Sequence, residues 1–268
     1  MTKPHMLCSF SCGASSAVAT KIALKKYKDT HEIFIARWVV ADEHPDQDRF
    51  HAECEKWFGQ EIIRCQSTKY KSIFDVFEHK KFFRASGGRK TICSQHMKRE
   101  VARKFCVDYD IDVTCLGYDY GELARVERFK RFNIDTPAVF PLVDECLTKE
   151  DCLEIINRQG IEIPMMYKLG FRNNNCIPCI QAGKGSWNLV RKHFPEVYER
   201  MAALERELNF SIFMDGTFLD KLDPNAGNNK QLEVKCSMFC EVTLEEVIGW
   251  KKEGLINDDI SKFNEATV

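Results

Sequence analysis

Two stretches of the chain carry residue types suited to chemistry. In "NNNCIPC", Cys176 and Cys179 form a C-x-x-C pair. That spacing lets two thiolates converge on one metal, and Pro178 stiffens the turn between them. Farther along, "VKCSMFC" supplies Cys236 and Cys240 as C-x-x-x-C, and "TICSQHMK" places Cys93 on a loop entering a helix. Paired spacings of this kind suit structural zinc held by Cys176, Cys179, Cys236 and Cys240. They also suit an iron–sulfur centre, which takes four thiolates; free thiols are a third reading. The second stretch is "SCGASS", residues 11–16, set between a short apolar run and a helix-like one. Gly13 removes a side chain where a backbone must approach a ligand or take positive φ. Ser11, Ser15 and Ser16 bring hydroxyls, and the following helix aims its unpaired amides and positive dipole end at the loop. Together with Ala14 they suit an anion, although no lysine stands where a G-x-x-x-x-G-K-[ST] loop needs one. A plain helix cap is the competing reading.

Composition sets the frame for that chemistry. A chain of 268 residues makes one large α/β domain or a domain with an appendage, and 44% hydrophobic residues is ordinary for a buried core. No apolar run approaches the roughly 20 residues that span a bilayer. The start, "MTKPHMLCSF", lacks the apolar segment of a signal peptide, so a soluble, cytoplasmic protein with no membrane partner is expected. A net charge of −1 excludes whole-molecule attraction to nucleic acid. Basic residues cluster at 79–90 and 125–132, where they form solvated faces or neutralise a phosphorylated ligand. Thirteen cysteines are many for a reducing compartment, where disulfides do not persist, and point to metal or redox chemistry. Cys8, Cys54, Cys106, Cys115, Cys146 and Cys152 lie within or beside apolar, periodic segments and read as small hydrophobes.

The elements that must position these residues alternate between strand and helix. Strands are predicted at 6–9, 33–40, 61–65 and 112–117, with a short one near Val139. Helices are predicted at 16–27, 50–58, 72–83, 95–109, 122–132 and 148–159. Such alternation predicts a doubly wound, mostly parallel five-stranded sheet, because parallel strands need crossover helices. Ligands bind beyond the carboxyl ends of such strands. The loops after strands one, two and four therefore face one pocket and bring Asp42 and Gly117 to residues 11–16. From residue 161 the pattern changes to a loop and two helices, at 187–194 and 196–208. Residues 1–160 are thus expected to form the ligand-binding α/β domain, and 161–268 a mainly helical, cysteine-containing extension packed on it.

Residues 11–16 resemble the PP-loop, S-x-G-x-[DS]-S, of the adenine nucleotide α-hydrolase-like superfamily. The likeness is greatest to its phosphoadenosine phosphosulfate (PAPS) reductase-like family, including the phage-type branch, and spans roughly residues 7–208. The resemblance implies a Rossmann-like fold and a loop that holds the pyrophosphate of ATP or the phosphosulfate of an activated sulfate. "GYDYGELARVERF" resembles the family's segment after the fourth strand, so Arg125, with Arg128 as substitute, is implied to reach the phosphates. Ser15 stands where ATP-hydrolysing members often carry aspartate, and Cys12 where many carry glycine. "CSQHMK" resembles the C-C-x-x-R-K segment of adenylylsulfate (APS) reductases, with Ser94 in place of the second cysteine and Lys98 in register. On this resemblance a [4Fe-4S] cluster is expected on Cys93, Cys176, Cys179 and Cys240, with Cys236 as the substitute for Cys240 and zinc as the alternative metal.

Two activities are implied by the resemblance. The first is ATP-driven activation of a nucleic-acid or small-molecule acceptor followed by sulfur transfer, with a sulfur donor protein as partner. The second is release of sulfite from APS or PAPS with a thiol reductant, for which no E-C-G-x-H segment follows Cys240. A nucleotide-binding or sensing module without turnover is the non-enzymatic alternative. Arg125 and Lys98 are the expected catalytic residues. His44, Asp46 and Asp48, after the second strand, are candidates for ribose, adenine or a magnesium ion, or else form a solvated turn.

Overall fold

A computed structural model describes residues 2–85, 91–134 and 136–227. Five strands, β1 (His5–Ser9), β2 (Glu32–Val39), β3 (Ile63–Gln66), β4 (Val113–Cys115) and β5 (Ala138–Val139), form one sheet in the order β3-β2-β1-β4-β5. Every pairing is parallel, and the register sets Cys8 beside Ile35 and Cys115. The two-residue period of a strand divides its side chains between the faces. Met6, Cys8, Phe10, Ile33 and Ile35 enter one core with α1 (Ala14–Tyr27), α2 (Asp46–Phe58) and α8 (Lys149–Arg158). Leu7, Ala36 and Trp38 enter the other with Phe105, on α5 (Glu100–Asp108). Helix α1 is apolar nearly all round because sheet, α2 and α8 enclose it.

The remaining helices are α3 (Ile73–Lys80), α4 (Ile92–Ser94), α6 (Leu123–Phe132), α7 (Pro141–Asp144), α9 (Met165–Lys168), α10 (Lys184–His193) and α11 (Pro195–Leu208). Helix α4 runs into α5 through a π-helical turn, Gln95–Arg99, whose wider spacing is seen where the Glu100 amide donates to the Gln95 carbonyl. A third core, built on Phe74, Phe77, Phe83, Trp187, Met201 and Ile212, joins α3, α10 and α11 beneath the 171–182 loop.

Several boundaries differ from the sequence expectation, three of them for a clear local reason. Helix α2 starts at Asp46, so the last three residues of the polar run 41–48 after the second strand are helical. Its acidic first turn favours this through the helix dipole. Helix α10 starts at Lys184 because Gly183, extended at its N-cap, turns the chain into the helix before the first large apolar residue, Trp187. The helix expected from Gln95 begins at Ile92, where apolar packing of that side chain outweighs the weak local signal.

Candidate functional site

The 11–16 loop leaves the carboxyl end of β1 and enters α1 at Gly13, the N-cap. Ser16 closes it from within the helix. Its hydroxyl donates to the Gly13 carbonyl at 2.9 Å and accepts from the Ser11 amide at 3.1 Å and the Ser11 hydroxyl at 3.0 Å. Ser15 reaches the Asp119 carboxylate at 3.5 Å. Gly117, in the loop after β4, lies against this turn. A Cβ on it would come within 2.7 Å of the Ser16 Cα, so only glycine permits the approach. Cys12 adopts φ 55°, the left-handed region that a glycine enters freely and a cysteine at a cost of about 1–2 kcal/mol.

Two residues from beyond α8 hold that loop. The Asn174 side-chain amide donates to the Cys12 carbonyl at 2.6 Å, and the Tyr167 hydroxyl accepts from the Ala14 amide at 3.2 Å. Burial pushes the Tyr167 phenol up to about 12, so it stays protonated. Beneath the loop runs an ionic chain centred on the buried Arg37 and Glu43. Arg37, its side chain 4% exposed, pairs with Glu43 at 3.2 Å and Asp48 at 2.9 Å and donates to the Gln47 carbonyl at 3.4 Å. The Cys12 thiol faces that same carbonyl at 3.7 Å. Glu43 in turn receives the Lys98 ammonium at 3.1 Å.

Lys98 leads to the cysteines. Cys93, Cys176 and Cys179 lie close enough that charge on one acts on the others, and Lys98 acts on all three. Burial raises the Cys93 thiol to about 11, with Cys179 adding to the shift. Burial raises Cys176 as well, against the pull of Lys98. Desolvation works against the Lys98 ammonium, but Cys176 and Glu43 outweigh it and hold it charged. Three sulfur donors near one cation are of the donor type that zinc or an iron–sulfur cluster takes. Among the described residues no three histidine, cysteine or acidic side chains stand at ligand spacing, and Cys236 and Cys240 lie outside those residues. The cysteine loop is fixed on both flanks: the Ile177 amide donates to the Asp42 carbonyl at 2.9 Å, and Arg84 donates to the Ile180 carbonyl and, at 3.1 Å, to that of Ile212. Beside the pair opens a cavity of about 580 Å³ lined by Cys176, Cys179, Arg172, Lys184 and Ser186.

A serine–glycine turn between a first parallel strand and its helix, with a cysteine pair docked on it, accords with a family comparison. The family model of the phosphoadenosine phosphosulfate reductase domain matches residues 5–182. The chain belongs to that family. Two solved structures are similar to this PAPS reductase-family chain. One is the phosphoadenylyl-sulfate (PAPS) reductase of Candida auris in its phosphate complex: 11% identity, 64% of this chain and 80% of that chain covered, TM-score 0.45. The other is the U34-tRNA thiolase NcsA of Methanococcus maripaludis with its [4Fe-4S] cluster: 11% identity, 78% of this chain and 72% of that chain covered, TM-score 0.42. No curated protein matches the chain.

Within this PAPS reductase domain, Ser11, Gly13, Ala14, Ser15, Ser16 and Gly117 come together, while other expected residues have protein partners. The Asp42 carboxylate accepts from the Ile73 amide at 2.6 Å, where it anchors α3. Arg125 pairs with Glu122 at 2.7 Å and covers the Tyr118 ring, its guanidinium carbon 4.2 Å from the centroid. Arg128 lies exposed on α6. Asp46 holds Arg49 and accepts from the Met165 amide, Asp48 holds Arg37 and Arg64, and the His44 ring accepts from the Asp46 amide. The first basic run is mixed: Lys81 pairs with Glu207, Arg84 binds the cysteine loop, and residues 86–90 lie outside the described residues. Sequence reasoning missed Arg37, Glu43, Tyr167 and Asn174. The one signal was the asparagine run before Cys176, which is polar beyond what a turn needs.

Among the described residues no helix is long and apolar enough to cross a membrane.

Proposed function

We propose that this PAPS reductase-family protein is an adenine nucleotide-dependent sulfur-transfer enzyme. The observation that carries the reading is the docking of the Cys176–Cys179 loop onto the Ser11–Ser16 turn through Asn174. Nucleotide and sulfur chemistry would then share one wall. Amides of the loop and the α1 N-terminus receive the pyrophosphate of ATP, with magnesium accompanying the nucleotide. Arg125 turns from Glu122 to the phosphates as they arrive. An acceptor oxygen attacks the α-phosphorus, the P–O bond to the β-phosphate breaks, and pyrophosphate leaves, its charge stabilised by loop amides and Arg125. Hydrosulfide from a donor protein then displaces AMP from the adenylylated acceptor.

Cys93, Cys176 and Cys179, with Cys240 from outside the described residues, would hold a [4Fe-4S] cluster, or zinc in its place. Such a cluster supplies a thiolate-bound iron site for sulfide. Lys98 balances the negative charge of the thiolates. The cavity beside Cys176 and Cys179, with Arg172 and Lys184 on its wall, is the entry for an anionic acceptor, a nucleic acid or a phosphorylated small molecule. Reduction of APS or PAPS to sulfite is the second reading. It needs a thiolate at the sulfuryl group, and Cys12, the cysteine of the loop itself, is fully buried with its thiol raised to about 12.

The test is to offer anaerobically purified protein ATP, APS and PAPS separately and assay pyrophosphate and sulfite. Pyrophosphate from ATP alone supports activation and sulfur transfer. Sulfite from APS or PAPS with a thiol reductant makes the protein a reductase. Bound nucleotide without either product, against a panel of acceptors, makes it a sensing module.

A further inference from the structure

Asn174 stands two residues before Cys176, yet its side chain leaves the cysteine loop for the nucleotide loop. It is 8% exposed, and its Nδ2 donates to the Cys12 carbonyl at 2.6 Å. Cys12 holds a left-handed φ of 55° without being glycine. A conformation of that kind persists only where surrounding contacts over-determine it. The Asn174 bond fixes the plane of the 12–13 peptide and with it the direction of the amides that follow. Tyr167 adds to this from the same side: its hydroxyl oxygen meets the Ala14 amide at 3.2 Å. The carbonyl of residue 12 and the amide of residue 14, on either side of Gly13, are thus both held from the 167–174 segment that leads into the cysteine loop. A second path runs below, from Ile177 to the Asp42 carbonyl at 2.9 Å, and from Lys98 through Glu43 and Arg37 to the Gln47 carbonyl that faces the Cys12 thiol.

We infer that Asn174 is a positioning residue that couples the two sites, so that nucleotide at the 11–16 loop and the state of Cys176 and Cys179 control one another. The inference rests on the reading of that loop as an adenine nucleotide site. In its observed placement the 174–177 segment satisfies both the Cys12 carbonyl and the Asp42 carbonyl. Nucleotide favours the loop shape that keeps both bonds, and this holds the cysteines in place. Coupling between two binding sites is reciprocal, with a factor of about 5 to 150 as its usual range.

The experiment uses the full chain as purified without oxygen. It measures the dissociation constant for ATP, APS and PAPS by calorimetry, and the alkylation rate of Cys176 and Cys179 peptide by peptide, with and without nucleotide. In the wild type, nucleotide is expected to slow alkylation of both cysteines by a factor of about 5 or more. In Asn174→Ala, nucleotide still binds, weakened by about 5-fold or more, and the protection factor falls to about 2 or less. Tyr167→Phe keeps the ring in place and is expected to lower the protection factor likewise. It carries the test if thermal melting shows Asn174→Ala to be unfolded. Protection that is unchanged in a folded variant means direct shielding and overturns the coupling, as does wild-type binding without protection. Failure of all three nucleotides to bind the wild type overturns the nucleotide reading itself, a result distinct from either.

Discussion

At the scale of single residues, close approach decides what the sequence can tolerate. A methyl on Gly117 would overlap the backbone of Ser16 and Ser15, at 2.7 to 3.1 Å, and neither helix nor strand can retreat without moving its own core. Gly117→Ala is expected to destabilise by about 1–3 kcal/mol, the usual range for overpacking. At about 2–4 °C per kcal/mol for a chain near this size, thermal melting will report the loss. Nucleotide affinity should fall with it, since Ser15 and Ser16 move. Glu43 poses the electrostatic version of the same question. Its side chain, 6% exposed, sits between the guanidinium of Arg37 and the ammonium of Lys98. Glu43→Gln leaves Arg37 buried with only Asp48 as a charged partner. Removal of one member of a buried pair costs about 3–5 kcal/mol, with the lower end expected here because Lys98 is partly exposed. Urea unfolding measures it.

At the scale of elements, the π-helical turn Gln95–Arg99 aims Lys98 across the loop after β2 toward Cys176. Wider turns of this kind are frequent at functional sites because they rotate a side chain out of the ordinary helical sequence of directions. Lys98 lowers the thiol of Cys176, which burial raises. Lys98→Ala should therefore reduce the thiolate fraction and slow alkylation of Cys176 several-fold at pH 8, with Cys106, on the far core, unchanged as the internal control. An equal rate in both proteins would show that the ammonium has no electrostatic hold on the thiol.

At the scale of the whole molecule, the buried cysteines link stability to pH. The Cys12 thiol lies at about 12 in the fold, through burial first, against an ordinary value of 9.0. Between those values the unfolded chain has released this proton and the folded chain has kept it. More protons bound in the native state means that stability falls as pH rises through this window. The Cys12 contribution to the melting temperature should therefore be flat below pH 9 and decline above it. Cys12→Ala should decline less steeply than the wild type, and parallel curves would count against a buried, neutral thiol.

The strand–helix alternation fixed the sheet and its five strands from the sequence alone, because period and crossover logic are local properties. The turn of residues 11–16 was legible for the same reason: Ser11, Gly13 and Ser16 bond within their own backbone neighbourhood. Cys176 and Cys179 could be named by spacing and Cys93 by the resemblance of its segment, but their approach to Lys98 depends on the π-turn and the 171–182 loop meeting across the domain. Asp42, Asp46 and Asp48 had the composition of ligand-binding residues, and only the tertiary contacts reveal that Ile73, Met165, Arg37 and Arg64 occupy them. Asn174 and Tyr167 lie more than 150 positions from the backbone groups they hold, at separations of 162 and 153 residues. A hydrogen bond over such a distance leaves no periodicity in the sequence, since it exists only after the sheet, α8 and the cysteine loop have closed around one another. The sequence by itself therefore determined the sheet and the serine–glycine turn after its first strand, and the folded chain decided what that turn is fastened to.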